Sequence, residues 1–491
     1  MSRGAAASAS GASAVPRRPL STGRLLLSIL VLGLALLVRD VARSLNLPLA
    51  VNNARLINRP EEFHGQNVTA GPFFEGWYYK TVLPQEAGSV IFIPGVFIPK
   101  ADAVHAAPGA QSDDARAQPH AFVMVIRDPK TVECLYYTYP LSEFSATPGS
   151  AEEGGAGFSI RVGKSAFSAK GMQIDLDAAD LVWTLDEDIK EFTAKALRER
   201  AEQHPDLPDS FDRLLFVDRP RAALSIRGSV AFSSPVRFPA SRLYPTVMGP
   251  FAYLPAMECY HGLVSLHHSS TGSLNFYSSD GSLEHELDLT NGSGYIEKDH
   301  GINFPLNWIW IQTASFKKNP GSSLMVSVAD VPILSREHLL FRLVNAIPYI
   351  GPALVSRFHF TGFLVTLHHS TSNQTHNFSL YTLSRIESID ISAAAATSAE
   401  NPHPIQTVRM ELSSFDRSKT LTVTAKRLLG AGVPLPGPIV RGNRMGLIVE
   451  ETLVVDVEVV LSEKGQVVFE DTGSIGGMEV VGDMASLVSG I

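Results

Sequence analysis

Charge is scarce in this chain. Only 18% of its 491 residues are Asp, Glu, Lys or Arg, and the net charge is −8. It has no basic stripe and no arginine–glycine tract, so nucleic acid is not an expected partner. Cysteine is nearly absent. Cys134 and Cys259 are the only two, too few for a disulfide framework and not spaced as zinc ligands. They read as two buried thiols or as one bridge. The pairs His267–His268 and His368–His369 have no third ligand spaced to help them, so no metal is expected. A strand followed by G-x-G-x-x-G is missing, and so is G-x-x-x-x-G-K-[S/T]. The G-x-S-x-G nucleophile elbow is missing too.

What the chain does have is apolar surface. Hydrophobic residues make up 45%, enough for a large core, and the length suggests two domains. Residues 1–24 carry Arg3, Arg17, Arg18 and Arg24 and no acid, and "LLLSILVLGLALLV" follows at 25–38. A basic stretch before a short apolar one reads as a signal anchor, or as a cleaved signal peptide. Arginines ahead of it favour a cytoplasmic N-terminus and a translocated body. The expectation is a membrane-held protein of the secretory pathway with a lumenal body. The front of a plastid leader is the alternative. Sequons at Asn67, Asn291, Asn373 and Asn377 are compatible with a lumenal glycoprotein.

From residue 70 onward the pattern is short β-branched or aromatic runs bounded by Gly, Pro, Ser, Asn or Asp, such as "SVIFIPGVFI", "HAFVMVIRD" and "TLVVDVEVVL". Many short strands without intervening helices predict an all-β fold of barrels or sandwiches. Two helical signals interrupt the pattern. One starts at Asp186 and reads as a surface excursion. The other, 336–357, is an apolar helix on a barrel mouth or a loop that dips into a membrane. Residues 101–118, 146–157 and 393–404 read as loop insertions. "GPFFEGWYY" from Gly71 and "GPFAYLPAMECYHG" from Gly249 echo each other. The echo suggests two tandem β-barrels, at 46–240 and 241–491 after a leader at 1–45, with the boundary near "RFPASRLYP" at 237–245.

Two stretches could carry chemistry. In "GPFFEGWYYK" the carboxyl of Glu75 sits among five aromatic residues. In a strand Glu75, Trp77 and Tyr79 share one face. Glu75 is then either a tuned acid on a barrel wall or a structural tie that accepts indole or amide hydrogen bonds. Glu258 poses the same choice beside Tyr260 and His261. "GYIEKDHG" is the densest polar cluster. If it is extended, Glu297 and Asp299 point one way and Lys298 and His300 the other. Trp308, Trp310 and Gln312 alternate along "WIWIQ" and would line a pocket together.

"FFEGWYYK" (73–80), "MGPFAYLPAMECYHGLVS" (248–265), "GSGYIEKDHGINFPLNWIWIQTASF" (292–316) and "FEDTGSIGGMEVVG" (469–482) together resemble the tocopherol cyclase family, its bacterial-type branch above all. The resemblance implies a pair of lipocalin-like β-barrels. For the plant members it implies cyclisation of a prenylated hydroquinone to a chromanol. The family commonly has Trp where this chain has His300, so a stacking indole becomes a titratable imidazole. In the family-like tail, Glu479 reads as an anchor of the closing strand.

Closing a chromanol ring requires protonation of a trisubstituted alkene and capture of the tertiary cation by the phenol oxygen. The catalyst needs an un-ionised acid, which burial favours. It also needs aromatic faces for the cation and exclusion of water. It needs no metal and no redox cofactor. Asp299 is the preferred proton donor or its orienter, with Glu75, Glu258 and Glu297 as the other acids. Lys298 would pin the quinol oxygen. Trp77, Tyr79, Tyr260, His261, His300, Trp308, Trp310 and Gln312 would contact the hydrophobic substrate. A carrier of a hydrophobic ligand would use the same barrel without converting what it holds.

Overall fold

The computed structural model describes residues 47–69, 71–100, 115–127, 134–149, 157–182, 194–195, 198, 224–254, 257–332, 359–394, 404–429, 432–439 and 444–491. The leader at 1–45 and the apolar segment 336–357 lie outside the described residues, as do most of the three expected loop insertions and most of the helix expected from Asp186, of which 194–195 and 198 are described and helical. Among the described residues, no helix is long and apolar enough to cross a membrane.

The chain is mostly β. A short helix, α1 (Leu47–Arg55), precedes the first sheet. That sheet comprises β1 (Phe73–Val82), β2 (Ser89–Ile98), β3 (His120–Arg127), β4 (Cys134–Pro140), β5 (Phe144–Thr147), β6 (Ser159–Val162), β7 (Ser165–Ser168), β8 (Gly171–Leu176), β9 (Leu224–Val236), β10 (Cys259–Ser278), β11 (Leu283–Asp288) and β12 (Gly292–Gly301). In space the order is β4-β3-β2-β1-β12-β10-β9-β8-β7-β6-β5, with β11 on β10. The end strands β4 and β5 are joined directly by a turn at Leu141–Glu143, and Tyr137 bridges to Leu181. The sheet thus forms a nearly closed barrel. Its interior is packed with Phe73, Trp77, Tyr79, Phe92, Phe167, Phe276 and their neighbours.

The later strands are β13 (Trp308–Thr313), β14 (Ser323–Pro332), β15 (His359–His369), β16 (Gln374–Ser379), β17 (Arg385–Ala394), β18 (Ile405–Ser413), β19 (Lys419–Leu428), β20 (Val433–Ile439), β21 (Arg444–Glu451), β22 (Val455–Glu463), β23 (Gln466–Gly473) and β24 (Gly477–Val481), followed by helix α2 (Met484–Ser489). Two five-stranded sheets, β16-β15-β14-β13-β24 and β17-β18-β19-β22-β23, enclose a second apolar core, and β20-β21 is a separate hairpin. In β22 the pattern is plain. Val455, Val457, Val459 and Leu461 are buried, while Asp456 and Glu458 face water. β1 differs because it is buried on both faces, so its Glu75 and Lys80 are buried with its aromatic residues.

The sheets divide later than the sequence suggested. The expected boundary near 240 falls between β9 and β10 of a single sheet, and the second set of strands begins at Trp308. The echoed segments do not open separate barrels. β1 and β10 flank the same strand, so Phe74 and Cys259 both pair with Gly301 of β12.

Glu75 lies on the interior side of β1. It accepts hydrogen bonds from the backbone N–H of His64 at 2.9 Å and of Gly65 at 2.9 Å. Lys298, from the facing side of β12, meets it at 2.5 Å, and both side chains are fully buried. Lys298 also donates to the Glu62 carbonyl at 2.5 Å and lies 5.1 Å from the centre of the Trp77 ring. Trp77 donates its indole N–H to the Glu61 carbonyl at 2.8 Å. Burial opposes ionisation of Glu75, but the Lys298 charge and the His64 contacts outweigh it and hold the carboxyl below its usual range. Glu75 is therefore a tie between the barrel wall and the segment that crosses it, and it is not placed to donate a proton to a ligand. Removing one member leaves a buried charge without its partner, which costs about 3–5 kcal/mol. Glu75→Ala is expected to lower the unfolding free energy by about that much, while Glu75→Met with Lys298→Met together cost far less. Denaturant melts of both variants check this, and equal losses would contradict the pairing.

Candidate functional site

The even-numbered face of β1 looks the other way. There a cavity of about 220 Å³ lies between the barrel's outer face and β13–β15. β1 contributes Phe74, Gly76 and Tyr78, and β12 contributes Glu297 and Asp299. β10 adds Cys259 and His261, β13 adds Trp308 and Trp310, and the β20-β21 hairpin covers one side with Leu435, Met445, Val449 and Glu451. Glu479 enters from β24, which pairs with β13. The barrel interior is filled by side chains. The space for a ligand is outside it, between the sheets.

Strand register sets the polar geometry. His261 is opposite Asp299 across the β10–β12 ladder, and Gly76 is opposite Asp299 on the other side. His261 Nδ1 lies 2.8 Å from Asp299 Oδ1, and Nε2 lies 3.6 Å from Glu297 Oε2. Glu297 Oε2 accepts from the Tyr295 hydroxyl at 2.5 Å and the Trp310 indole at 3.2 Å. Tyr78 donates to Glu451 Oε1 at 2.5 Å, and Trp308 donates to Glu479 Oε2 at 2.6 Å.

Desolvation dominates the acids. It pushes Glu297 up to about 7, with Asp299 adding to the rise and His261, Tyr295 and Trp310 opposing it. It also pushes Glu451 up to about 7, against the Tyr78 hydrogen bond and the Lys80 charge. Glu479 rises well above the carboxylate range through burial and the nearby Glu451 charge. For His261 burial works downward, but Asp299 and Glu297 outweigh it and raise the imidazole to about 9. The cavity therefore holds an imidazolium and carboxyl groups that keep their protons near neutral pH. The ligating atoms of His261, Glu297 and Asp299 come within 4.8 Å of one another, a spacing a divalent ion could use. In this structure the charged imidazole itself fills that role toward the two acids.

The structure brings together Glu297, Asp299, His261, Trp308 and Trp310 of the residues expected to act. Trp77 and Tyr79 do not join them and belong to the packed barrel core. Lys298 and His300 face away from the cavity. His300 hydrogen-bonds Asn53 Oδ1 at 3.0 Å and stacks between His64 and Tyr260, with ring centres 4.1 and 5.0 Å away. Tyr260 stays on that side, its hydroxyl bonded to the Leu254 carbonyl. Gln312 is fully buried but does not line the cavity. Glu258 is buried, precedes β10 and lies outside the cavity lining. Glu479 does more than anchor the last strand, because its carboxyl is part of the cavity wall. Tyr78, Phe304 and Glu451 were not singled out in the sequence. Glu451 sits at the end of an apolar strand with no motif around it, and the Thr452–Met478 bridge brings it here.

No known family profile matches the chain, and no curated protein matches it in sequence. Among solved structures it is similar to a candidate AttH protein (NE1406) of Nitrosomonas europaea, with a TM-score of 0.36, 12% identity, and coverage of 83% of this chain and 92% of that one. It is also similar to CghA solved with Sch210972, with a TM-score of 0.43, 12% identity, and coverage of 84% and 89%. CghA solved alone gives a TM-score of 0.43 at 10% identity with the same coverage. These likenesses concern the fold.

The raised acids make stability pH-dependent. Below the ordinary carboxyl value of 4.5, folded and unfolded chains both hold these protons. Between 4.5 and about 7 only the folded chain does, so stability is lost as pH rises through about 7. His261 acts in the same direction up to about 9. The depressed Glu75 acts only on the acid side, where its stabilisation is lost as pH falls. Histidines that burial holds below their ordinary value, His64, His267, His268 and His300 among them, act the other way below about 6.5, so the melting temperature is expected to fall from about pH 6.5 to about pH 8, and Glu451→Gln is expected to flatten the slope. A profile that rises over this interval would contradict the protonated cavity.

Proposed function

We propose that the chain is a tocopherol cyclase-like enzyme that closes a ring on a neutral prenylated hydroquinone or a related isoprenoid lipid. One observation carries the reading: a carboxyl group that keeps its proton, Glu297, faces an apolar cavity walled by aromatic rings. The motif resemblance from 73 to 482 points to the same chemistry.

In this reaction the protonated Glu297 gives its proton to the trisubstituted alkene, and a new C–H bond forms. The tertiary cation lies against the faces of Tyr78, Trp308 and Trp310, whose quadrupoles favour positive charge. The phenol oxygen attacks the cation, a C–O bond forms, and the phenol proton passes to the ionised Glu297. Atoms balance, and the product is an isomer of the substrate. The His261–Asp299 pair is adjacent to Glu297 and holds charge beside it while its proton is away. Water would quench the cation to an alcohol, which the apolar lining opposes. The apolar segment at 25–38 keeps the body beside the membrane that carries the substrate, and fractionation of a chain lacking residues 1–45 tests that.

The purified protein, offered a dimethyl-phytyl hydroquinone, is expected to yield a chromanol of equal mass. Glu297→Gln should lower turnover roughly 10²–10⁴-fold while leaving the fold intact, and the rate should fall as pH rises through about 7. Gly76→Leu should fold, because a Cβ there meets only Ile93 and Pro94 at ordinary contact distances of 3.6 and 3.9 Å. Its side chain enters the cavity and should weaken substrate affinity by roughly tenfold or more. Saturable binding of the hydroquinone with no chromanol formed would identify a carrier and end the catalytic reading.

A further inference from the structure

The charged groups in the cavity wall are strongly one-sided. Four carboxyl-bearing residues line it: Glu297, Asp299, Glu451 and Glu479. Among the described residues, no lysine or arginine does. His261 is the one basic group in the wall, and both its ring nitrogens already face acids, at 2.8 Å and 3.6 Å. Lys80 is on the same face of β1 as Tyr78, buried and outside the lining, and its ammonium has no hydrogen-bond partner while Glu451 and Glu297 lie near it.

Glu451 points to a ligand most clearly. Its side chain has no solvent exposure. Oε1 takes the Tyr78 hydroxyl at 2.5 Å, while Oε2 has no hydrogen-bond partner although the residue lines the cavity. A buried acceptor left without a donor costs about 1–3 kcal/mol, so a ligand that satisfies it gains that much. Two groups of aromatic rings line the same cavity. Tyr78 and Trp310 meet edge to face with centres 5.4 Å apart, Phe74 and Phe304 lie 4.8 Å apart, and Phe304 and Trp308 lie 5.9 Å apart.

The consequences differ by ligand charge. An anionic amphiphile would bring a negative group against a wall whose one basic lining residue, among the described residues, already faces two acids. A neutral chain gains only apolar burial. A cation on an apolar chain gains burial, ring faces and a carboxylate at once.

We infer that this cavity is a receptor for lipophilic monocations, that is, a protonated tertiary amine carried on a hydrocarbon chain, with its N–H on Glu451 and its head against the rings of Tyr78 and Trp310. The inference deepens the cyclisation reading and rests on it in one respect. The same surroundings that would favour a tertiary carbocation for an instant would favour an ammonium at rest. A cation arriving beside Glu451 draws that carboxyl into its ionised form, so binding releases a proton. Tyr78, Lys80, Glu297 and Glu479 are the titratable groups that face Glu451. Affinity therefore rises with pH through about 7, where the Glu451 proton is given up unaided.

Calorimetric titration of the full chain with protonated decyldimethylamine, decanol and decanoate, below their micelle concentrations, tests this. At about pH 8 the ammonium is expected to bind saturably at one site, roughly tenfold or more tighter than decanol, with decanoate weakest. It should release a proton, read from titrations in buffers of different ionisation heat, and bind more weakly at about pH 6. Glu451→Gln should abolish most of the ammonium preference and leave decanol affinity in place. If that variant does not fold, Glu451→Met provides the same comparison. Equal affinity for the three ligands, a preference for decanoate, or an ammonium preference that survives both substitutions would overturn the inference. The two readings fail separately. A chain that binds the ammonium but converts no hydroquinone upholds this one alone, and a chain that makes chromanol but ignores the ammonium upholds only the other.

Discussion

A carboxyl taken out of water must find a cation, hydrogen-bond donors or a proton, because leaving it ionised and alone costs several kcal/mol. β12 meets that constraint in two ways on its two faces. Toward the barrel interior, Lys298 meets Glu75 at 2.5 Å, and the carboxylate is further held by backbone amides. Toward the gap between the sheets, Glu297 has only neutral donors, a shared imidazolium and other acids nearby, and it keeps its proton to about 7. One strand therefore carries one partner of a fixed ion pair and a proton reservoir at adjacent residues, Lys298 and Glu297.

The two faces divide labour between fold and chemistry. The ion pair fastens the segment around Glu61–Glu62–His64 over the barrel end, where burial also pushes the Glu61 carboxyl up to about 7. His300, whose imidazole is pushed well below its ordinary value by burial and by nearby His64 and Lys298, remains neutral and serves as a stacking plate. On the cavity side, flat rings and aliphatic chains exclude water from the acids, and the acids supply the only polar relief. That combination suits a reaction with a cationic intermediate and no cofactor. It would equally suit a neutral hydrophobic passenger, so turnover is what separates an enzyme from a carrier.

Much of this was legible in the sequence, and the failures have physical causes. The period of two in "EKDH" separates Glu297 and Asp299 from Lys298 and His300, and the structure keeps that separation. The same period put Glu75, Trp77 and Tyr79 on one face, but it cannot say which face of β1 meets the cavity, because the strand is buried on both. Hence Tyr78 and Gly76, on the opposite face, line the site while Trp77 and Tyr79 fill the core. The repeated Gly-Pro-Phe segments suggested a barrel repeat. The second of them is a single helical turn at Gly249–Tyr253, and the strands that follow the two, β1 and β10, share one neighbour, a relation set by long-range pairing and invisible to local pattern. Glu451 had no signal at all. A glutamate at the end of an apolar strand looks like a solvated terminus until the hairpin folds it against Tyr78.

The central claim is that a carboxyl in the gap between the sheets carries a proton at neutral pH. Infrared difference spectra of the whole protein, recorded against pH and compared between wild type and Glu297→Gln, measure it directly through the C=O stretch of un-ionised carboxylic acid. The account predicts a protonated band that persists well above the ordinary carboxyl value of 4.5, fades around pH 7 and is reduced in the variant. A wild-type spectrum with every carboxyl ionised by about pH 6, indistinguishable from that of the variant, would contradict it.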